Sequence, residues 1–264
     1  YWNMAYDDSK DIYMSDEYQY NFSENYPELY DKDNRKEKAL KTISILSDYI
    51  GPLNSLKLLD IGSSTGIMTY EYSKIFDTTV GIDIDENAVA FAKKNYVTEK
   101  IDFICTPIEE LKHENNFYDV ITCSHIYEHV PDANKLMSEI YRLLKPGGVC
   151  FFAAGNRFKV IEGHYRLPFL SFFPKRISNL YLKITGKGNE YYENHLSYKN
   201  LKQLVNQFEV IDYTVETIKY PKKYFATDLI TENSFRQKLY LTIAKYFYFL
   251  IPTYLWLLKK SESE

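Results

Sequence analysis

Between residues 56 and 154, five short apolar runs (56–61, 79–84, 101–105, 118–123 and 149–154) alternate with stretches of helical periodicity at about 65–76, 86–96, 108–112 and 133–144. Runs that are apolar throughout, rather than at every second residue, belong to strands covered on both faces. A helix between each strand and the next is what a parallel crossover requires. The expectation is an α/β, Rossmann-like, doubly wound open sheet that binds its ligand at the carboxyl ends of the strands.

The flanking segments complete this scheme. Ala39, Leu40, Ile43, Ile45 and Leu46 recur at helical spacing before Gly51-Pro52 stops that helix, which begins near Arg35. Residues 1–34, rich in Tyr and acidic side chains, read as an irregular arm or short helices over the domain. Residues 1–50 are therefore an arm plus a helix packing on the core, and 51–264 the main domain. Lys145-Pro146-Gly147-Gly148 ends the helix before the fifth strand. About 40 residues then break the pattern, rich in aromatics and Pro, and 155–197 is read as an insertion that selects substrate. A helix at 198–206, a sixth strand at 208–218, a helix at 234–251 and a last strand at 253–258 follow. The 18-residue, mostly apolar run 241–258 is too broken by Lys245 and Pro252 to be a membrane span. An interfacial helix is its rival reading.

At 264 residues with 45% hydrophobic and 26% charged side chains, the chain has the balance of a folded protein of one to two domains. A net charge of −4 gives no global field for nucleic acid, so no nucleic-acid partner is expected. The charge is uneven: residues 1–34 carry nine acids and two Lys, whereas 155–260 carry 17 Lys/Arg and eight acids. A basic later half suits acidic, phosphorylated or membrane-surface partners. Cys105, Cys123 and Cys150 cannot all pair and lie in or beside apolar runs. Core thiols in a reducing cytoplasm are expected, with peripheral contact at the inner membrane face left open.

The turn after the first strand holds Asp60, Gly62, Ser63, Ser64, Thr65 and Gly66. Small residues let the backbone approach a ligand, and the amides opening the next helix favour a negative group. A dinucleotide fingerprint would need glycine at 62, 64 and 67; Ser64 and Ile67 stand instead, so pyrophosphate binding is not expected. Asp83 closes the second strand, where it can accept both ribose hydroxyls of an adenosine ligand while Ile84 lies against the base. The alternative is an acid that caps the next helix, a role open equally to Asp85.

In order, LLDIGSSTG (58–66), VGIDIDENAVAFAKKN (80–95), FICTPIEEL (103–111), FYDVITCSHIYEHVPD (117–132) and LLKPGGVCFFAAGN (143–156) resemble the motifs of class I S-adenosylmethionine (SAM) dependent methyltransferases. The resemblance implies a seven-stranded sheet whose last strand is antiparallel, with SAM as cofactor and S-adenosylhomocysteine as product. It implies that Gly62, Ser63, Ser64 and Gly66 line the methionine moiety, with Asp60 ordering the turn. Asp83 would hold the ribose, Ile84, Pro107 and Ile108 the adenine, and the Ser124 backbone would lie near the amino group. Ser64 replaces a glycine common in the family, and Pro107 an adenine-binding aspartate.

His125-Ile126-Tyr127-Glu128-His129 follows the fourth strand, at the edge where the methyl group should point. On a helix, His125, Glu128 and His129 would share one face. Three readings stay open: a structural Glu-His pair, a general base at His125 or His129, or a divalent metal site. The last rests on similarity to the E-x-x-E-H set of polyprenyl-quinone and small-RNA 2′-O-methyltransferases, in which His125 replaces the first glutamate. No metal is expected on balance. HIYEH also matches the H-x-x-E-H of inverted zinc peptidases, in the wrong fold position for one.

Residues 162–174, with His164 and Tyr165, resemble an insertion of methyltransferases of polysaccharide and glycolipid biosynthesis. His164 is a further candidate base, and Tyr165 a surface on which a sugar could stack. The expected activity is O-methylation of a sugar, glycan or glycolipid hydroxyl. The alternatives are a quinone, phenol or other small-metabolite acceptor, or a silent SAM-binding protein.

Overall fold

The computed structural model describes residues 19–262. Seven strands, β1 (Lys57–Ile61), β2 (Thr78–Asp83), β3 (Ile101–Cys105), β4 (Tyr118–Ser124), β5 (Leu144–Gly155), β6 (Glu209–Asp212) and β7 (Thr253–Lys259), form one sheet in the order β3-β2-β1-β4-β5-β7-β6. β7 runs antiparallel to both of its neighbours. This is the seven-stranded, doubly wound sheet expected, with its reversed last strand.

Both-sided burial explains the continuous apolar runs. Leu58 and Val120 face one core with Phe151 and Leu257, while Leu59 and Ile121 face the other with Cys150 and Leu258. Successive side chains of one strand thus enter opposite layers. The first layer is closed by α2 (Lys32–Ile50) through Ala39, Ile45 and Leu46, and by Tyr72 on α3 (Ile67–Ser73). The second is closed by α5 (Ala133–Leu143) through Leu136 and Ile140, and by Leu201 on α7 (Tyr198–Leu204). Local signals start these helices: Asp31 accepts from the Asn34 amide, Asp132 from those of Asn134 and Lys135. Between β2 and β3 runs α4 (Glu86–Tyr96), capped by Asp85, which accepts from the Ala88 amide.

Several expectations need correction. The sixth strand ends at Asp212, and α8 (Thr214–Lys219) follows, because Thr214, Thr217 and Ile218 bury a helical stripe where a strand would expose every second residue. The helix expected at 234–251 is α9 (Phe235–Tyr246), followed by a short 3₁₀ turn over Tyr248–Leu250. Among the described residues no helix is long and apolar enough to cross a membrane. The insertion is no bare loop: α6 (Lys175–Thr185) lies in it, and Leu167, Leu170, Leu182 and Tyr191 form a small core of its own. Cys123 and Cys150 are buried, but Cys105 is exposed, because β3 is the edge strand and buries only part of its length.

Of the N-terminal arm, residues 1–18 lie outside the described residues. Residues 19–31 contain α1 (Phe22–Asn25) and a 3₁₀ turn over Pro27–Tyr30. This segment crosses the carboxyl edge of the sheet. The Thr65 hydroxyl donates to Leu29 O at 2.7 Å, the Ser23 amide to Asp85 Oδ2 at 2.7 Å, and Asn87 Nδ2 to Glu24 Oε1 at 2.8 Å.

Candidate active site

The turn after β1 is wound by three left-handed residues, Gly62 (φ 72°), Ser64 (φ 50°) and Gly66 (φ 76°). The amides of Gly62 and Ser63 both donate to Ile82 O at 2.9 Å, tying the turn to the end of β2. At Gly62 a Cβ would stand 2.1 Å from Ile126 Cδ1, so the HIYEH segment rests directly on this glycine. Gly66 opens α3 and is pressed against Ala92 and Phe103, either of which a Cβ would meet at 2.7 Å.

Two acids hold the turn from beneath. Asp60 accepts from Thr69 and Thr122, each at 2.6 Å. Burial raises its carboxyl to about 6, against the two hydroxyl hydrogen bonds. Asp83 accepts from the Ser64 amide at 2.7 Å and the Asp85 amide at 3.0 Å, and burial raises its carboxyl against those bonds. Helix capping falls to Asp85. A carboxylate has about four lone-pair sites, so Asp83 retains capacity for two hydroxyls. Ile84 follows Asp83, and the pairing of Asp83 with Cys105 brings Pro107 and buried Ile108 to the same edge; Ser124 ends β4 there too. All ten candidate cofactor residues therefore line one edge.

Arg35 on α2 went unremarked in the sequence except as a helix start. Burial lowers its guanidinium, while the carboxylates of Asp60 and Asp83 raise it, and its Nε has no hydrogen-bond partner among the described residues. A buried cation beside the turn suits an anionic ligand group. No local pattern marks it, since only the packing of α2 brings it there.

HIYEH is a turn and not a helix. His125 has φ 57°, a left-handed conformation that a helix cannot contain, and its amide donates to Ala153 O at 2.9 Å, continuing the β4–β5 ladder. The three side chains consequently part. His125, half exposed, reaches back so that Nδ1 lies 3.2 Å from Oε1 of fully buried Glu128. Burial works to raise the Glu128 carboxyl, but His125 and the neighbouring imidazoles hold it at about 2. The His129 ring turns the other way, meeting His164 edge to face at 5.0 Å and Phe22 at 5.4 Å. Phe22 stacks on Tyr26 at 4.3 Å, and Tyr26 meets His164 at 5.7 Å. Burial lowers His129 to about 3, keeping its imidazole neutral.

The insertion is stitched onto this turn. The Asn194 amide donates to Glu128 O at 2.8 Å, the Leu196 amide to Tyr127 Oη at 3.0 Å, and Tyr127 Oη to Gly155 O. His164 and three residues the sequence reading passed over, Glu162, Glu193 and His195, thereby come together. The available signal was a repeated Glu-x-His, at 162–164 and 193–195. The structure thus brings His129 and His164 together, leaves His125 at the rim, and buries Glu128 between HIYEH and the insertion.

Residues 59–152 match the sequence model of a family described as "Methyltransferase domain". Over 134 residues the chain is 31% identical to a ubiquinone biosynthesis O-methyltransferase of Bordetella avium, covering 47% of this chain and 56% of that one. The chain therefore spans little more than half the length of that relative. Among solved structures, the plantazolicin methyltransferase BpumL in complex with a substrate analogue and SAH superimposes with a TM-score of 0.55 at 20% identity, over 87% of this chain and 85% of that one. A SAM-dependent methyltransferase of Methanosarcina mazei gives a TM-score of 0.53 at 19% identity, over 82% and 97%. At such identities the structural likeness shows the fold.

Proposed function

We propose that the chain, whose residues 59–152 match a methyltransferase domain, is a SAM-dependent enzyme that methylates a hydroxyl of a small acceptor, a phenol or quinol ring ahead of a sugar. The observation that carries this reading is the wall of Phe22, Tyr26, His129 and His164, beside the turn that would hold SAM. These rings already touch one another, so a planar acceptor ring would pack on the outer side of the cluster, adding one more aromatic contact to it. The relative's name, an O-methyltransferase of ubiquinone biosynthesis, favours the same acceptor class. The sugar or glycolipid reading is weaker, because Tyr165 packs against Tyr191 and donates its hydroxyl to Glu190 O, which removes it as a stacking platform.

In this proposal Gly62, Ser63, Ser64 and Gly66 cradle the methionine moiety, Arg35 faces its carboxylate, and Asp83 accepts from the ribose. Ile84, Pro107 and Ile108 flank the adenine, and Ser124 lies near the amino group. The acceptor oxygen attacks the sulfonium methyl in line; a C–O bond forms, and the C–S bonding pair returns to sulfur. The hydroxyl proton passes to His125, half exposed at the rim and held through Nδ1 by buried Glu128, because burial makes the His129 imidazole too weak a base. Alignment of the two reacting atoms supplies most of the remaining acceleration. An acceptor with a lipid tail would find apolar surface on α6 of the same insertion, where Ile177, Leu180 and Ile184 are exposed.

Titration calorimetry tests the cofactor site: wild type binds SAM, and Asp83→Ala weakens binding by about 1.4 kcal/mol or more, a tenfold change. A folded wild type that binds no SAM overturns the reading. Assays with dihydroxy-aromatic, sugar-nucleotide and lipid-linked sugar acceptors then decide the class. Methylation of the sugars alone would restore the second reading, and SAM binding with no turnover would mark a silent binder.

A further inference from the structure

We propose that Glu162, His164 and His195 form a binding site for a divalent transition ion of the zinc type, set apart from the HIYEH residues that the sequence offered as a metal candidate. One ligand atom from each of the three lies within 4.8 Å of the others. Glu162 Oε1 is 3.0 Å from His164 Nδ1 and 3.5 Å from His195 Nε2. Two ligands bound at 2.0–2.1 Å with tetrahedral angles are about 3.3 Å apart. Hydrogen bonds could produce the same spacing, so the decision rests on what is left unpaired.

Neither ring nitrogen of His195 makes a hydrogen bond among the described residues, although its side chain is 1% exposed. Neither carboxylate oxygen of Glu193 does so either, and that side chain is fully buried, with Oε1 3.6 Å from His164 Nδ1. Glu128 Oε2 is a further unpaired buried oxygen. Buried polar atoms are nearly always satisfied, and five orphans on these three side chains indicate a missing partner. The charge agrees. Glu128, Glu162 and Glu193 are all buried, while besides the imidazoles the cations that face them among the described residues are Lys159, 3.1 Å from Glu162 Oε1, and Lys175, held on the carbonyls of Tyr191 and Glu193.

The other Glu162 oxygen accepts from the amides of His164 and Tyr165, which aims the carboxylate and leaves Oε1 to the ion. Two imidazoles and one carboxylate are the protein ligands of open zinc sites and suit magnesium poorly. Glu193 stands as the fourth ligand or as the counter-charge. Lys159 must withdraw its ammonium, so it competes with the ion. A bound ion would acidify a coordinated acceptor hydroxyl. That use rests on the proposed methyl transfer, whereas the binding does not.

The test strips the full chain with chelator and titrates ZnCl2 or MgCl2 by calorimetry, with SAH binding measured in parallel as the check on fold and cofactor site. Expected are one zinc per chain at submicromolar Kd, little or no magnesium, and at least 100-fold weaker zinc binding in Glu162→Gln and in His164→Asn, both still binding SAH. His113→Asn, remote from the site, keeps wild-type affinity. Zinc should also raise the melting temperature of wild type and of neither ligand variant. If a variant does not fold, cobalt substitution of wild type decides, because a tetrahedral site gives intense visible absorption. No zinc binding by wild type that binds SAH, or zinc binding untouched by both variants, overturns the proposal without touching the methyltransferase reading.

Discussion

Asp60 illustrates how a single buried carboxylate serves the turn at a cost. Its two oxygens draw Thr69 of α3 and Thr122 of β4 together under the glycine turn. Burial raises its carboxyl from the ordinary 3.8 to about 6. Between those values the folded protein holds more protons than the unfolded chain, so this group's contribution to stability is full below pH 3.8 and falls as pH rises through about 6. At about 1.4 kcal/mol per unit the loss is about 3 kcal/mol by pH 7. Asp60→Asn carries no such titration. Its stability relative to wild type, from urea melts, should therefore rise by about 3 kcal/mol between pH 4 and pH 7, and a flat difference would contradict the burial argument. Asp60 and Asp83 were legible in the sequence because strand-end position alone puts them at the ligand edge. Arg35, Glu193 and His195 were not, because each reaches the site through tertiary packing.

At the scale of elements, the sequence located most strands and helices well because two-sided burial writes an unbroken apolar run. It misread HIYEH, where local i,i+3 and i,i+4 spacing favoured a helix but the chain leaves β4 through a left-handed His125, whose amide still extends the β4–β5 ladder. It also missed α6, whose buried stripe is only Ser178 and Leu182 while Ile177, Leu180 and Ile184 face outward. The arm was expected over the domain, but no spacing rule showed what it would touch. Its α1 places Phe22 against His129 and His164, whereas Thr65 binds the arm a few residues later at Leu29 O. In the proposed reading Phe22 therefore belongs to the acceptor side rather than to the cofactor turn. Phe22→Ala should raise acceptor KM by about three- to tenfold, the value of one aromatic contact of 0.5–1.5 kcal/mol. SAM Kd should change by less than twofold. Equal loss of both would mean that α1 closes the whole edge as one unit.

For the whole molecule, the decisive segment is the tail, whose apolar run 241–258 has to be divided before the sheet can close. Pro252 divides it, and Asn156 secures the break: its side-chain amide donates to Phe249 O and Ile251 O, with Tyr254 Oη 3.0 Å away, fixing the chain as it turns into β7. β7 then inserts between β5 and β6, so the last strand in sequence supplies the connection between the parallel core and the sheet's far edge. Trp256 lies at its centre, 1% exposed, stacked on Tyr254 at 5.1 Å and near Tyr198 and Phe152. Tyr198 belongs to α7 and Phe152 to β5, so one side chain joins helix layer, parallel core and antiparallel strand. Removing it should cost about 3–5 kcal/mol, the range for a large aromatic cut to alanine in a packed core. Because long-range contacts across the whole fold are lost, Trp256→Ala should lower the urea midpoint of the entire domain in one cooperative transition. If β7 and β6 instead melted early while β1–β5 held, hydrogen exchange would show protection split between the two parts of the sheet, and the tail would be an appendage rather than part of the single core.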